Sequence, residues 1–349
     1  MIHRIQYVPG QTLSSKSADS ARSAVLAYTH NDVFKPVSGF KVLSGHFHLD
    51  FNEMLTDRGS LDYQPPWVSV FRGLGINILY LGDFHDDSHP ADPGSLRFKE
   101  QQVYFEGSQH VSDKDFLVMP AEEVNTYLGG HWYLMTPRPV YFSHAASRLA
   151  DQKFVQNDPQ YGQVYHLESA ADAYAMIQRE QGILWTAHPR TKNSENYPDA
   201  YKDQEFFQSD SFIGASWEAL PVDLSERRLC EVRCFGTGDD MSNWSANPKY
   251  LIAEGDTYTK WPDDETYPQL AVNYLRLDRV PLYNESWAPI TEGLRAGNFF
   301  GTTGEVLFHN WSVEGADRPE LIPLKSNTLF RWSSPNLSGA TASRLIAGS

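Results

Sequence analysis

Residues 169–189 read SAADAYAMIQREQGILWTAHP and predict an amphipathic helix that runs directly into a buried strand. Ser169, followed three residues later by Asp172, resembles a capping box at the start of the helix, and Gly182 is typical of its end. The apolar face of this helix consists of Ala170, Ala173, Tyr174 and Ile177. A helix joined to a buried strand is the repeating unit of α/β proteins.

Short apolar runs of the same kind recur on both sides of this unit, separated by loop signals. They lie at residues 40–48, 76–83, 116–124, 130–135, 212–215 and 250–256, and a second, shorter helix is predicted at 291–297. This alternation predicts a mostly parallel sheet, either open or closed into a barrel. Residues 1–38 are predicted to form an N-terminal extension and residues 305–349 a small C-terminal β segment, which leaves 39–304 as the core domain.

The composition excludes several classes of protein. The 349 residues include 29 Lys and Arg against 44 Asp and Glu, a net charge of −15, which argues against sequence-independent nucleic-acid binding. Cys230 and Cys234 are too few for a disulfide framework and lack the spacing of a structural zinc site. Neither a signal peptide nor an apolar run long enough to span a membrane is visible, so we expect a soluble protein, cytoplasmic by default. The oligomeric state stays open.

Many of the predicted strands carry potential metal ligands at their ends. His46 and His48 are two residues apart in a strand, which directs both imidazoles to one face. Alone, this pair favours a structural role. Further candidates at or just beyond the carboxyl ends of separate runs are Asp83, Glu123, His131, His188 and Asp256. Such ends converge on one face of α/β folds, where a cation would offset the buried charges. Imidazole and carboxylate ligands without thiolates suit Zn, Mn or Fe.

The order of these motifs resembles the PHP superfamily, named from polymerase and histidinol phosphatase domains. Within it, the chain looks closest to the metalloesterase branch typified by carbaryl-type carbamate hydrolases. The motifs that carry the resemblance are GHFH at 45–48, GDFH at 82–85, EEVN at 122–125 with GH at 130–131, AHP at 187–189, GD at 255–256 and LRAGNFFGTTG at 294–304. The resemblance implies a distorted TIM-like barrel of seven βα units over residues 39–304.

The resemblance also implies a set of metal ligands. One ion would be held by His46, His48 and Asp256 and a second by His131 and His188, with Glu123 bridging the two. A third ion in this family uses three further histidines, for which this chain has Met54, Phe84 and Tyr258. We therefore expect two divalent ions, Zn, Mn or Fe. Whether His85 partly replaces a missing ligand through a one-residue shift stays open.

The implied activity is that of a hydrolase in which a hydroxide bridging two metals attacks an ester. Asp83 would hold the bridging water, move a proton or orient a ligand histidine, and His85 and Arg190 complete the predicted catalytic set. Arg190 and Lys192 follow His188 and suit an anionic group at the rim, although solvated loop cations explain them equally well. Phosphoester cleavage of a small-molecule substrate is the leading hypothesis. Cleavage of carbamates or carboxylic esters is the alternative, and a non-catalytic binding module is a third possibility.

Overall fold

A computed structural model of the chain describes residues 34–48, 66–82, 95–124, 127–144, 147–190, 197–218, 235–258, 271–302, 307, 310–313 and 330–333. The helices of these ranges are α1 (Pro66–Gly73), α2 (Ser95–Val111), α3 (Ala170–Arg179), α4 (Glu205–Gln208), α5 (Phe235–Trp244) and α6 (Ala288–Arg295). The strands are β1 (Phe40–His48), β2 (Ile78–Leu81), β3 (Leu117–Met119), β4 (Glu122–Val124), β5 (Trp132–Met135), β6 (Tyr141–His144), β7 (Val155–Asp158), β8 (Gly162–Leu167), β9 (Ile183–Thr186), β10 (Phe212–Glu218), β11 (Tyr250–Glu254), β12 (Thr257–Tyr258), β13 (Val272–Arg276), β14 (Phe299–Thr302), β15 (Asn310–Val313) and β16 (Phe330–Ser333).

Two large sheets form the centre of the fold. The first has the order β14-β13-β1-β2-β3, with β12 also paired to β1, and the second has the order β11-β10-β9-β5-β4. Strands β1, β2 and β3 are parallel, as are β9, β10 and β11, but β13, β14, β4 and β5 pair antiparallel. The α/β class is therefore confirmed, whereas the sheets are mixed rather than mostly parallel.

The two sheets face each other across one shared core. Tyr80 of β2 contacts Tyr133 of β5 and Trp185 of β9, with ring centroids 5.2 and 5.8 Å apart. Backbone hydrogen bonds join the sheets at both margins, from Gly255 N to Gly45 O at 3.1 Å and from Glu123 N to Gly82 O at 3.4 Å. The predicted closed barrel of seven βα units is not confirmed, since the described strands divide between two sheets.

Apolar layers cover the outer faces of both sheets. Val68 and Phe71 of α1 and Tyr104 of α2 pack on the first sheet, and Ile177 of α3 packs against the second. Phe34 and Val37 are also buried in the layer over the first sheet, so part of the predicted N-terminal extension packs against the core. Strands β15 and β16 pair antiparallel and lie within the predicted C-terminal β segment.

Helix α3 confirms the prediction from residues 169–181. The side chain of Ser169 accepts a hydrogen bond from the backbone N–H of Asp172, and Ala173, Met176 and Ile177 are buried. The predicted position Ala170 is exposed, and Met176 takes its place on the buried face. The second predicted helix begins at Ala288 rather than Thr291, with Pro289 in its first turn, where a missing N–H costs no hydrogen bond. The Thr291 hydroxyl donates to the carbonyl of Ala288 inside the helix. No helix in the described ranges has both the length and the apolar character needed to cross a membrane.

Candidate metal centre

His46 and His48 lie at the carboxyl end of β1, where a β-bulge sets the orientation of their side chains. The register between β1 and β2 shifts between Gly45 and Phe47, which leaves His46 as an extra residue with a φ of 57°. A non-glycine residue in this left-handed region is uncommon and typical of functional sites. The two imidazole centroids lie 5.0 Å apart. The two rings therefore converge through a bulge rather than through strand alternation alone.

Two glycines allow close packing of aromatic rings at the site. A Cβ atom on Gly45 would lie 2.2 Å from the ring of Tyr80, a distance that real side chains do not show. A Cβ atom on Gly82 would lie 3.1 Å from Cε1 of His48, so the ring of this candidate ligand would have to move by a few tenths of an ångström.

Glu123 lies in β4, and its two carboxylate oxygens face different groups of histidines. Oε2 is 3.1 Å from Nε2 of His46 and 3.2 Å from Nε2 of His48. Oε1 is 2.9 Å from Nδ1 of His131 and 2.9 Å from Nε2 of His188. The carboxylate is buried, with 1% of the side chain exposed. Each oxygen of Glu123 thus faces its own pair of histidines.

His131 reaches the site from the amino end of a strand rather than from a carboxyl end. It directly precedes β5, which pairs antiparallel with β9, so the start of β5 lies beside the end of β9. The backbone N–H of Ala187 donates to the carbonyl of His131 at 3.0 Å and holds the two segments together. The imidazoles of His131 and His188 consequently lie 4.8 Å apart. The sequence-based expectation that His131 lies at the carboxyl end of an apolar run was wrong, since His131 precedes β5. The antiparallel direction of β5 brings its amino end to the site.

Asp256 follows β11 and completes the first group. Its φ is 47°, again in the left-handed region, and the preceding Gly255 donates its N–H to Gly45 O. Oδ1 of Asp256 lies 3.4 Å from Nε2 of His46 and 3.6 Å from Nε2 of His48. The turn after β11 therefore brings a carboxylate to the histidines of β1.

Two overlapping groups can each hold a metal ion, with the candidate ligand atoms of each within 4.8 Å of one another. The first is His46, His48, Glu123 and Asp256, and the second is Glu123, His131 and His188. Among the described residues, Nε2 of His46 and Nδ1 of His188 have no hydrogen-bond partner although both are buried. Buried polar atoms are rarely left without a hydrogen-bond partner. For His46 Nε2, which points at carboxylate oxygens without bonding them, a cation fits the geometry.

The pKa values of His46 and Glu123 are shifted in the directions that favour a positive charge beside a carboxylate. Burial lowers the pKa of His46, but the charges of Glu123 and Glu254 outweigh it and raise that pKa to about 10. Burial raises the pKa of Glu123, but His46, His131 and His188 outweigh it and hold that pKa well below its usual range. The buried carboxylates thus stabilise positive charge at this position, which a bound cation would also supply.

Glu254 is a site residue that sequence reasoning missed. It is the last residue of β11, and its Oε2 lies 3.1 Å from Nδ1 of His46, on the opposite side of that ring from Glu123. The available signal was a carboxylate inside an otherwise apolar strand, two residues before Asp256. Such a residue is almost never fully buried unless it is paired.

Of the three predicted catalytic residues, only Arg190 lies within the described ranges. Asp83, His85 and Lys192 lie outside the described residues. Arg190 is described and has a φ of 59°. Its guanidinium donates to Asp199 at 2.8 and 2.7 Å and to Asp240 at 2.5 Å. Nε and Nη2 of Arg190 thus pair with two carboxylates.

Comparison with known proteins yields one structural likeness. A two-domain protein from Bacteroides vulgatus, containing a predicted PHP-like metal-dependent phosphoesterase, matches with a TM-score of 0.46 and 12% sequence identity. The match covers 81% of this chain and 76% of the other. No protein-family model and no curated protein sequence matches the chain.

Proposed function

We propose that this protein is a metal-dependent hydrolase that cleaves phosphoester bonds with two divalent ions. The observation that carries the proposal is the division of Glu123, whose Oε2 faces His46 and His48 and whose Oε1 faces His131 and His188. A carboxylate with one oxygen toward each of two nitrogen groups is suited to bridge a pair of cations.

The chain would hold the ions with nitrogen and oxygen donors alone. The first ion takes Glu123, His46, His48 and Asp256, and the second takes Glu123, His131 and His188. Donors of this type favour Zn, Mn or Fe. The second group offers three protein ligands, the number that leaves a tetrahedral ion one open position for water or substrate.

The side chains supply binding and orientation, and the ions supply the reactive chemistry. When bound, two ions lower the pKa of a shared water and polarise an ester oxygen. Glu123 holds both ligand groups together from a buried position. Tyr133, also fully buried, packs its ring edge-on against His46 with centroids 5.1 Å apart and fixes that ligand from the side.

Two divalent ions would favour a phosphoester because its anionic oxygens can bind the ions directly. The described carboxylates around His46 are Glu123, Glu254 and Asp256, within 3.1 to 3.4 Å of its ring nitrogens. Their three negative charges would offset part of the four positive charges that the ions bring.

The experiment is metal analysis of protein purified without chelators, followed by a panel of aryl phosphates, aryl carbamates and aryl acetates. We expect two ions per chain and phosphate hydrolysis that is lost with chelator and restored by Mn or Zn. Glu123→Gln should reduce turnover at least about 100-fold. The matched control is Glu292→Gln on the exposed face of α6, where 60% of the side chain is accessible, and it should retain full activity.

Three outcomes would contradict the proposal. Hydrolysis confined to carbamates or acetates would contradict the substrate class and support the alternative esterase. Full metal content without any turnover would contradict the hydrolase and support a binding module. Protein that takes up no metal would contradict the entire proposal.

A further inference from the structure

Glu254 is a buried carboxylate that faces the back of a candidate metal ligand. None of its surface is exposed, and it accepts hydrogen bonds through both oxygens. Oε1 accepts from Trp185 Nε1 at 2.7 Å and from the Tyr80 hydroxyl at 3.1 Å. Oε2 lies 3.1 Å from Nδ1 of His46. One oxygen is thus held in place by two aromatic donors, and the other is directed at the histidine.

The position of Glu254 determines which nitrogen of His46 can bind a metal. A neutral imidazole carries its proton on one nitrogen and a lone pair on the other. Carboxylates lie 3.1 Å from both nitrogens, but the candidate ligands Glu123 and Asp256 lie only on the Nε2 side, at 3.1 and 3.4 Å. With a metal bound at Nε2, the lone pair is used there and the proton stays on Nδ1, facing Glu254. Carboxylates that accept from the second nitrogen of a ligand histidine fix the ring and raise its basicity.

We infer that Glu254 is a positioning residue that fixes His46 with its proton on Nδ1 and thereby sets the affinity of the first metal ion, a role that rests on the proposed metal-dependent function. The competing explanation is structural. On that view Glu254 only accepts the hydrogen bonds of Trp185 and Tyr80, and the nearness of His46 has no effect on metal binding.

Glu254→Gln separates the two roles because glutamine has nearly the same shape. Its amide oxygen can still accept from Trp185 and Tyr80, so the structural role is kept. Its amide nitrogen would then face His46 as a donor, which favours the proton on Nε2 and removes the lone pair from the metal side. Tyr80→Phe is the matched control, because it removes one hydrogen bond to Glu254 but leaves the contact with His46 unchanged.

The first measurement is a zinc titration against a competing chelator, with thermal unfolding to verify that each variant is folded. We expect Glu254→Gln to weaken the affinity for one of the two zinc ions by about 10- to 100-fold. The affinity for the other ion should change less than about threefold. In Tyr80→Phe, the affinities for both ions should also change less than about threefold. Wild-type affinities for both ions in Glu254→Gln would overturn the inference and leave the proposed metal centre intact. Wild-type protein that binds no zinc would overturn both.

The second measurement needs no substitution of Glu254 and applies even if that variant does not fold. Long-range ¹H–¹⁵N correlation spectra of zinc-loaded wild-type protein report which nitrogen of each histidine carries a proton, and His46→Asn identifies the signal of His46. The inference requires a proton on Nδ1 and zinc on Nε2. A proton on Nε2 would overturn it.

Discussion

Lys249 is a buried cation whose removal should change how folding stability depends on pH. It directly precedes β11, and only 7% of its surface is exposed. Its Nζ donates to the carbonyls of Ser209 and Phe212 at 2.8 and 2.6 Å and lies 5.3 Å from the centroid of the Phe207 ring. Burial lowers the pKa of Lys249 to about 7, against a smaller opposing effect of Asp210.

The size and sign of the effect follow from this pKa. In the unfolded chain the lysine titrates near 10.5, so between about pH 7 and 10.5 the unfolded state binds more protons than the folded state. The contribution of Lys249 to stability is therefore fully present above pH 10.5 and is lost as the pH falls toward 7. At about 1.4 kcal/mol per pKa unit, the whole window corresponds to about 5 kcal/mol, and the part between pH 7 and 9 to about 2 kcal/mol.

Urea unfolding at pH 7 and pH 9 tests this expectation in wild type and in Lys249→Met. The unfolding free energy of the wild type should gain about 2 kcal/mol more over this interval than that of the variant. Lys99→Met, which removes the same charge from an exposed position of α2, shows the effect of net charge without burial. A difference between wild type and Lys249→Met that stays constant from pH 7 to 9 would refute the reasoning.

Three further expectations concern the site and its surroundings. Zinc at a hundred times its dissociation constant should add about 2.7 kcal/mol to the unfolding free energy, and an unchanged melting temperature would contradict metal binding to the folded state. Gly45→Ala should lower the free energy of unfolding in urea by about 3 kcal/mol, because its Cβ would lie 2.2 Å from the Tyr80 ring. The control Gly238→Ala in α5, where the nearest contact would be an ordinary 3.4 Å, should be neutral or stabilising. Equal effects of the two substitutions would refute the packing argument. Arg190→Gln should cost about 1 kcal/mol in urea unfolding through its lost pairing with Asp199 and Asp240, with little change in KM, and a tenfold rise in KM at wild-type stability would instead indicate substrate binding.

Local sequence signals predicted local structure well. The Ser169 cap and the apolar spacing after it predicted α3, because a capping hydrogen bond and one buried face involve residues only three or four apart. Donor chemistry was equally readable, since the identities of His46 and His48 do not depend on the fold. Thr291 illustrates where local signals fail, because its hydroxyl donates to the Ala288 carbonyl within the helix and does not mark the start.

Strand direction and strand partners were decided by the tertiary structure. Whether β5 runs parallel or antiparallel to β9 depends on pairing between residues about fifty positions apart, and this pairing brings His131 to the same edge as His188. The burial of Glu254 likewise requires donors 69, 174 and 208 residues away in Trp185, Tyr80 and His46. No short window contains such contacts.

The amino-acid sequence by itself determined the α/β class, the boundaries of helix α3 to within two residues, and the nitrogen and oxygen donors available for a metal. The family resemblance implied that Glu123 lies between two histidine groups, but only the tertiary structure decided that Glu254 lies behind His46 and that Arg190 pairs with Asp199 and Asp240. The physical reason is the range of the interactions. Propensity and capping act within a few residues, whereas buried charges are satisfied by partners that the packing of two sheets brings together.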